Sequence, residues 1–215
     1  MGPEGSNLKF SENFQDWFVL QETGFKSDGF FVDIGAGDGI TASNTYLLEK
    51  FYKWGGICVD PNPFFTQTLA GVRNSFSSTL CVHEETGKIL PFKFNANEEL
   101  FYGWNFRAGL TQHLDQIDPK IDQYFVTINV LTISLSDLLK LYHAPKLIDY
   151  LSLDTEGSEY SILKDFDFNE YDISCITVEH SFTEDREKIY DLLVANGYRR
   201  VEEQRSGNED WYLRK

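Results

Sequence analysis

Short apolar runs ending in polar residues alternate with helix-periodic segments from residue 29 to residue 197. This alternation constrains the fold more than any other feature. Parallel strands need crossovers of a dozen or more residues, so the repetition predicts a parallel sheet covered by helices. GFFVDIGA (29–36) is the first predicted strand. TASNTYLLEKFYKW is its helix, with Leu47, Phe51 and Trp54 inward and Gly55-Gly56 as the stop. ICVDP (57–61) is the second strand, closed by Pro61. FFTQTLAGV predicts a helix and STLCVH (78–83) a third strand. Ser134 opens a short helix with Leu135, Leu138, Leu139 and Tyr142 inward. IDYLSLDTEG (148–157) is a fourth strand with an acidic end, followed by the helix SEYSILKDF. ISCITVEH (173–180) is the fifth. TEDREKIYDLLVANG is a helix capped by Thr183 or Ser181 and stopped by Gly197. Residues 198–215 predict a hairpin turning at Ser206-Gly207-Asn208. Residues 86–130 keep no sustained period, which inside a compact domain predicts a functional stretch or a cover. The expected organisation is an N-terminal segment (1–28), unstructured or vector-derived at its start, and one domain (29–215) with a cover insertion at about 86–130.

Charge narrows the function classes. With 34 acidic against 19 basic residues the net charge is −15, which repels polyanions and argues against nucleic-acid and anionic-membrane partners. No apolar run approaches the roughly 20 residues that cross a bilayer. Cys58, Cys81 and Cys175 lie in strand-like runs without framework spacing, so they read as reduced core thiols of a cytoplasmic protein. No Cys/His cluster suggests zinc. The start MGPEGS fits a loose lipidation pattern, with Pro3 against it.

In open α/β sheets, ligands bind beyond the carboxyl ends of the strands. That edge collects Asp33 to Gly39, Asp60, Asp154 with Glu156, and Glu179 with His180. Asp33, Gly35, Gly37 and Gly39 predict a backbone kept bare for a ligand, and Asp60 a carboxylate for ribose hydroxyls. Asp38 either joins that site or caps the next helix. A dinucleotide turn requires a third glycine in a different place, and Ile40 follows Gly39 here. Two aspartates beside the turn repel a pyrophosphate but suit a ligand with an ammonium and a sulfonium. S-adenosylmethionine is that ligand, and an NAD-dependent oxidoreductase is the weaker alternative.

VDIGAGDGITASNTYLLEKFYKWGGICVDPNP (32–63), VLTISLSDLL (130–139) and IDYLSLDTEGSEYSILKDF (148–166) together resemble the FkbM family of S-adenosylmethionine-dependent methyltransferases. The resemblance implies a Rossmann-like α/β class I methyltransferase fold. Its mostly parallel seven-stranded sheet has order 3-2-1-4-5-7-6, helices on both faces and a C-terminal antiparallel hairpin. It implies methyl transfer, typically to oxygen. Ala36, Asn44, Pro61 and Asn62 join Asp33, Gly35, Gly37, Asp38, Gly39, Asp60 and Asp154 in the implied cofactor set, with Asn62 and Pro63 also shaping their loop. Relatives often carry Asn or His at the position of Gly37 and Glu at that of Asp60. Glu49-Lys50 reads as a solvated face.

Asp154 and Glu156 fall where the methyl group is delivered. His180, ending the neighbouring strand, is a candidate general base, so Asp154 and His180 are expected to face the sulfonium together. The expected reaction is O-methylation of a hydroxyl on a small molecule or glycan, with S-adenosylhomocysteine as product and no metal. A divalent cation on Asp154, Glu156 and Glu179 ranks below that reading. A methyltransferase fold that binds a partner without turnover is the competing class. The run FYGWNF (101–106) is a candidate acceptor lining, or a cover packed on the sheet.

Overall fold

The computed structural model describes residues 9–97, 108–114, 117 and 119–215. In chain order its first elements are α1 (Gln15–Glu22), β1 (Phe30–Ile34), α2 (Tyr46–Tyr52), β2 (Gly55–Val59), α3 (Pro63–Val72), β3 (Phe76–Ser78) and β4 (Cys81–Val82). Next come β5 (Ile89–Asn95), β6 (Ala108–Leu110), α4 (Pro119–Asp122), β7 (Phe125–Ile133) and α5 (Leu135–Leu141). The chain ends with β8 (Leu147–Leu153), α6 (Glu159–Lys164), β9 (Asp172–Glu179), α7 (Asp185–Ala195), β10 (Tyr198–Val201) and β11 (Glu209–Arg214).

Seven strands form the main sheet in the order β10-β11-β9-β8-β1-β2-β3. Numbered within that sheet, the order is 3-2-1-4-5-7-6. β11 runs antiparallel between β9 and β10, and the other pairs are parallel. The central strands are apolar on both faces, as a doubly covered parallel sheet requires. Phe31, Cys58, Tyr150, Cys175 and Trp211 pack under Phe18, Val19 and Leu20 of α1 and Leu47, Leu48 and Tyr52 of α2. Val32, Ile34, Ile57, Val59, Leu151, Leu153, Ile176 and Val178 meet α5, α6 and α7 through Leu138, Leu139, Ile162, Leu163, Ile189 and Leu193. All three cysteines are buried and unpaired, and burial raises each thiol to about 12, so they fill the core as inert thiols.

Several local expectations are corrected. The predicted third strand is divided: Ser78 pairs with β2 in the main sheet, at the end of a strand that starts at Phe76, while Cys81 and Val82 pair with β7 in a second sheet. That second sheet, β4-β7-β5-β6, occupies part of the stretch expected to lack regular structure. Pro91 disguised it, because a proline inside a run demotes it as a strand. Pro91 instead pairs with Asn129 and offers its carbonyl to Thr111 N at 3.0 Å.

α2 is shorter than its apolar period. Lys53 ends it at φ 60°, and Gly55-Gly56 starts β2 rather than stopping the helix. Phe51, expected inward, is 45% exposed. Neither Thr183 nor Ser181 caps α7. Thr183 Oγ1 donates to His180 O, Ser181 Oγ donates to Glu179 Oε1, and the cap position is Glu184 without a side-chain bond. The segment 1–28 also contains α1, whose start at Phe14 carries no side-chain cap.

Candidate active site

One cleft opens at the carboxyl edge where β1, β2 and β8 end. Its floor includes Gly35, Gly37, Asp60, Pro61 and Asp154, and Phe92, Gly109 and Leu110 of the second sheet form its opposite wall. The insertion therefore supplies a wall of the site from its described strands. The run 101–106, expected near the acceptor, lies outside the described residues.

The glycine turn is fixed by close approach. Gly35 N donates to Val59 O at 2.9 Å, and Asp154 N donates to Ile34 O at 3.0 Å. Gly37, at φ 58°, has open space where a Cβ would stand, so no side chain screens the turn from a ligand. Asp60 anchors the turn from the next strand. Its Oδ2 accepts from Gly37 N at 2.9 Å and its Oδ1 from Asn62 N at 2.8 Å. Asn62 then caps α3, its Oδ1 accepting from Phe64 N with Pro63 in the first helical turn.

Behind the turn lies a buried polar chain. Asp33 is turned away from the cleft and accepts from Thr45 Oγ1 at 2.6 Å. Arg73 donates to Thr45 Oγ1 at 2.8 Å, to Gly39 O at 3.1 Å and to Glu49 Oε2 at 3.0 Å. Glu49 is thus buried and ion-paired, correcting its reading as a solvated face. Asn44 donates to Ser152 Oγ at 2.9 Å, and Ala36 packs in the core. Asp38 closes its own turn by accepting from Ile40 N and Thr41 N, well before α2 begins.

The far edge separates two residues that the sequence placed together. Glu179 ends β9, and alternation sends His180 to the opposite face. His180 is buried beside Asp210, its Nε2 at 3.7 Å from Oδ1, while its Nδ1 accepts from Phe182 N at 3.0 Å. Burial pushes its imidazole below the ordinary range, Asp210 opposing, and Arg186 and Arg200 hold Asp210. His180 is absent from the cleft lining, and the acid that neighbours Asp154 is Glu179. Glu156 does line the cleft, at φ 60°, a left-handed conformation unusual for a non-glycine residue. Glu159 clasps this turn by accepting from Thr155 N at 2.7 Å and Gly157 N at 3.1 Å. Among the described residues, no group of three or more His, Cys, Asp or Glu side chains is arranged to hold a metal ion.

These acids set the pH response of the fold. Burial raises Asp60 to about 6 against the N–H groups of Asn62 and Gly37, and raises Glu159 and Glu209 to about 7. Raised acids favour the folded state fully below their unfolded values, 3.8 and 4.5, and that contribution is lost as pH rises through 6 to 7. Glu49 has the opposite sign. Burial raises it, but Asn74 N and the Arg73 guanidinium outweigh that and hold it at about 2, so its contribution is lost as pH falls from 4.5 toward 2. The melting temperature is therefore expected to peak at about pH 4–5 and to fall by about pH 8. A melting temperature that climbs steadily across that interval contradicts the burial described.

A parallel sheet with a bare glycine turn after its first strand and a buried acid after its second is the arrangement of a nucleotide-binding α/β fold. The comparisons then give the family. Residues 33–200 match the methyltransferase FkbM domain, and the chain belongs to that family. Among solved structures, it is similar to the precorrin-6y C5,15-methyltransferase from Geobacter metallireducens GS-15. Identity there is 11% and the TM-score 0.46, over 92% of this chain and 85% of that one. It is also similar to the delta-N METTL16 MTase domain, at 12% identity and a TM-score of 0.46, over 94% of this chain and 79% of that one. No curated protein matches. No helix among the described residues is long and apolar enough to cross a membrane.

Proposed function

We propose that this chain transfers a methyl group from S-adenosylmethionine to a hydroxyl oxygen of a small molecule or glycan. Asp60 carries the reading. It is a buried carboxylate in the cleft floor, tied by one backbone N–H to the glycine turn and by another to the start of α3. Each oxygen keeps a lone pair for a ribose hydroxyl. The bare Gly37 leaves side-chain space for the amino-acid end of the ligand, and Phe65 and Val82 give an apolar wall suited to the base.

The bound cofactor supplies an electrophilic methyl carbon on a cationic sulfur. The chain's own residues bind and orient. Asp33, through Thr45, and Asn44, through Ser152, hold the turn in place, and Asp38 stiffens its tip. Asp154, in the cleft floor, takes the acceptor's proton. No lysine, arginine or histidine lines the cleft among the described residues, which favours a neutral hydroxyl over an anionic acceptor. In-line positioning supplies much of the rate, as in other bimolecular transfers made effectively unimolecular.

Asp60→Ala is expected to weaken S-adenosylmethionine binding by about 1.5–3 kcal/mol, roughly ten- to a hundredfold. Wild-type affinity should also decline as pH falls below about 6, where Asp60 takes up its proton, whereas the variant should lack that step. Calorimetric titration at several pH values checks both. Equal affinity for wild type and variant would remove Asp60 from the ribose.

A further inference from the structure

Register at the carboxyl edge puts three acids on one side of the main sheet. Leu153 pairs with Val178, and Glu179 with Glu209. Asp154, Glu179 and Glu209 therefore hold neighbouring positions on the ends of β8, β9 and β11 and project to the same face. Asp154 is the one that lines the cleft. Glu179 lies behind it, 7% exposed. Its Oε1 accepts from Ser181 Oγ at 2.7 Å and Asn208 Nδ2 at 3.0 Å. Its Oε2 is buried and meets no donor among the described residues.

Glu209 is satisfied differently, by Gln15 Nε2 at 2.5 Å and Trp211 Nε1 at 3.0 Å. The nearby arginines, Arg186 and Arg200, are committed to Asp210. A buried carboxylate oxygen with no donor, set against a second carboxyl group, is tolerable when the two groups share a proton. Burial raises the Asp154 carboxyl well above the ordinary range, and Glu179, Glu209 and Glu156 push in the same direction.

We propose that Asp154 and Glu179 form a one-proton pair whose single buried negative charge is the counter-ion of the cofactor's sulfonium. This rests on S-adenosylmethionine being the ligand of the cleft. During transfer, a bond forms between the acceptor oxygen and the methyl carbon, and the methyl–sulfur bond breaks with its electrons remaining on sulfur. The hydroxyl proton passes to Asp154, and the proton already on Asp154 passes to Glu179. The cation and the anion are both neutralised, leaving S-adenosylhomocysteine and a doubly protonated pair. The pair returns one proton to solvent after the products leave. Glu179 touches neither reactant and acts through Asp154.

S-adenosylmethionine and S-adenosylhomocysteine distinguish this role, because only the first carries charge on sulfur while both carry the ammonium. The test titrates both into wild type, Asp154→Asn, Glu179→Gln and the double variant. Removing one carboxyl leaves the charge on the other, so each single variant is expected to change the ratio of the two dissociation constants by less than about threefold. In the double variant, S-adenosylhomocysteine should still bind, and the ratio should turn against S-adenosylmethionine by about ten- to a hundredfold, the order expected for one partly shielded charge pair.

A full loss in either single variant overturns the shared proton. An unchanged ratio in the double variant, or equal loss of both ligands, overturns the counter-ion. If wild type binds neither ligand, the cofactor reading fails, and the pair's role with it. If the double variant does not fold, the wild-type infrared difference spectrum on adding S-adenosylmethionine decides. A perturbed carboxylic-acid carbonyl band is expected, and its absence refutes the pair.

Discussion

Gly35→Ala is expected to destabilise the protein by about 4 kcal/mol or more and to abolish cofactor binding in any folded fraction. A Cβ at this position would stand 1.8 Å from Asp154 O and 2.8 Å from its carbonyl carbon, both backbone atoms. No rotamer relieves such a clash, so the ends of β1 and β8 would have to separate. The backbone at φ 87° adds strain for any residue with a side chain. Gly37→Ala provides the internal comparison. Nothing lies within 4 Å of its Cβ position, so only the left-handed backbone opposes it, at about 1–2 kcal/mol. Chemical unfolding of the two variants measures the difference directly. Similar stabilities for both would mean that the turn does not approach β8 as closely as described.

Arg73→Met should cost about 3–5 kcal/mol, the usual penalty for removing one partner of a buried ion pair. Its side chain is fully enclosed against Glu49, with relative exposures of 0% and 2%. Methionine fills much of the volume but leaves Gly39 O and Thr45 Oγ1 without their donor and Glu49 without its counter-charge. Asn74 N and Ser75 N still serve Glu49, which keeps the loss from being larger. Because ordinary domains are stable by only about 5–15 kcal/mol, the variant should sit near the folding threshold. A shift below about 1 kcal/mol in urea unfolding would show that the Arg73 network is not what holds the glycine turn.

The parts of this architecture legible in the sequence share one property, contiguity. Buried parallel strands such as β1 and β8 are short, mostly apolar runs, and the turn from Gly35 to Gly39 follows its strand directly. The rest depends on long-range pairing. Arg73 and Glu49 are 24 residues apart, and nothing local tells a buried Glu from an exposed one. The second sheet is hidden by Pro91 and by strands whose outward positions are polar or isolated apolar residues.

The exchange of His180 for Glu179 beside Asp154 has the simplest cause. A strand turns every side chain over with each residue, so an error of one position at its end selects the wrong face. The register of β9 against β8 decides that question, and it comes from tertiary structure rather than from the run ISCITVEH itself.

The most direct measurement is calorimetric titration of the wild-type chain near neutral pH with S-adenosylmethionine and, separately, with NAD. The account predicts saturable binding of S-adenosylmethionine with a dissociation constant on the order of micromolar, about −8 kcal/mol, and no heat with NAD. Silence with S-adenosylmethionine, or saturable binding of NAD in its place, would contradict it.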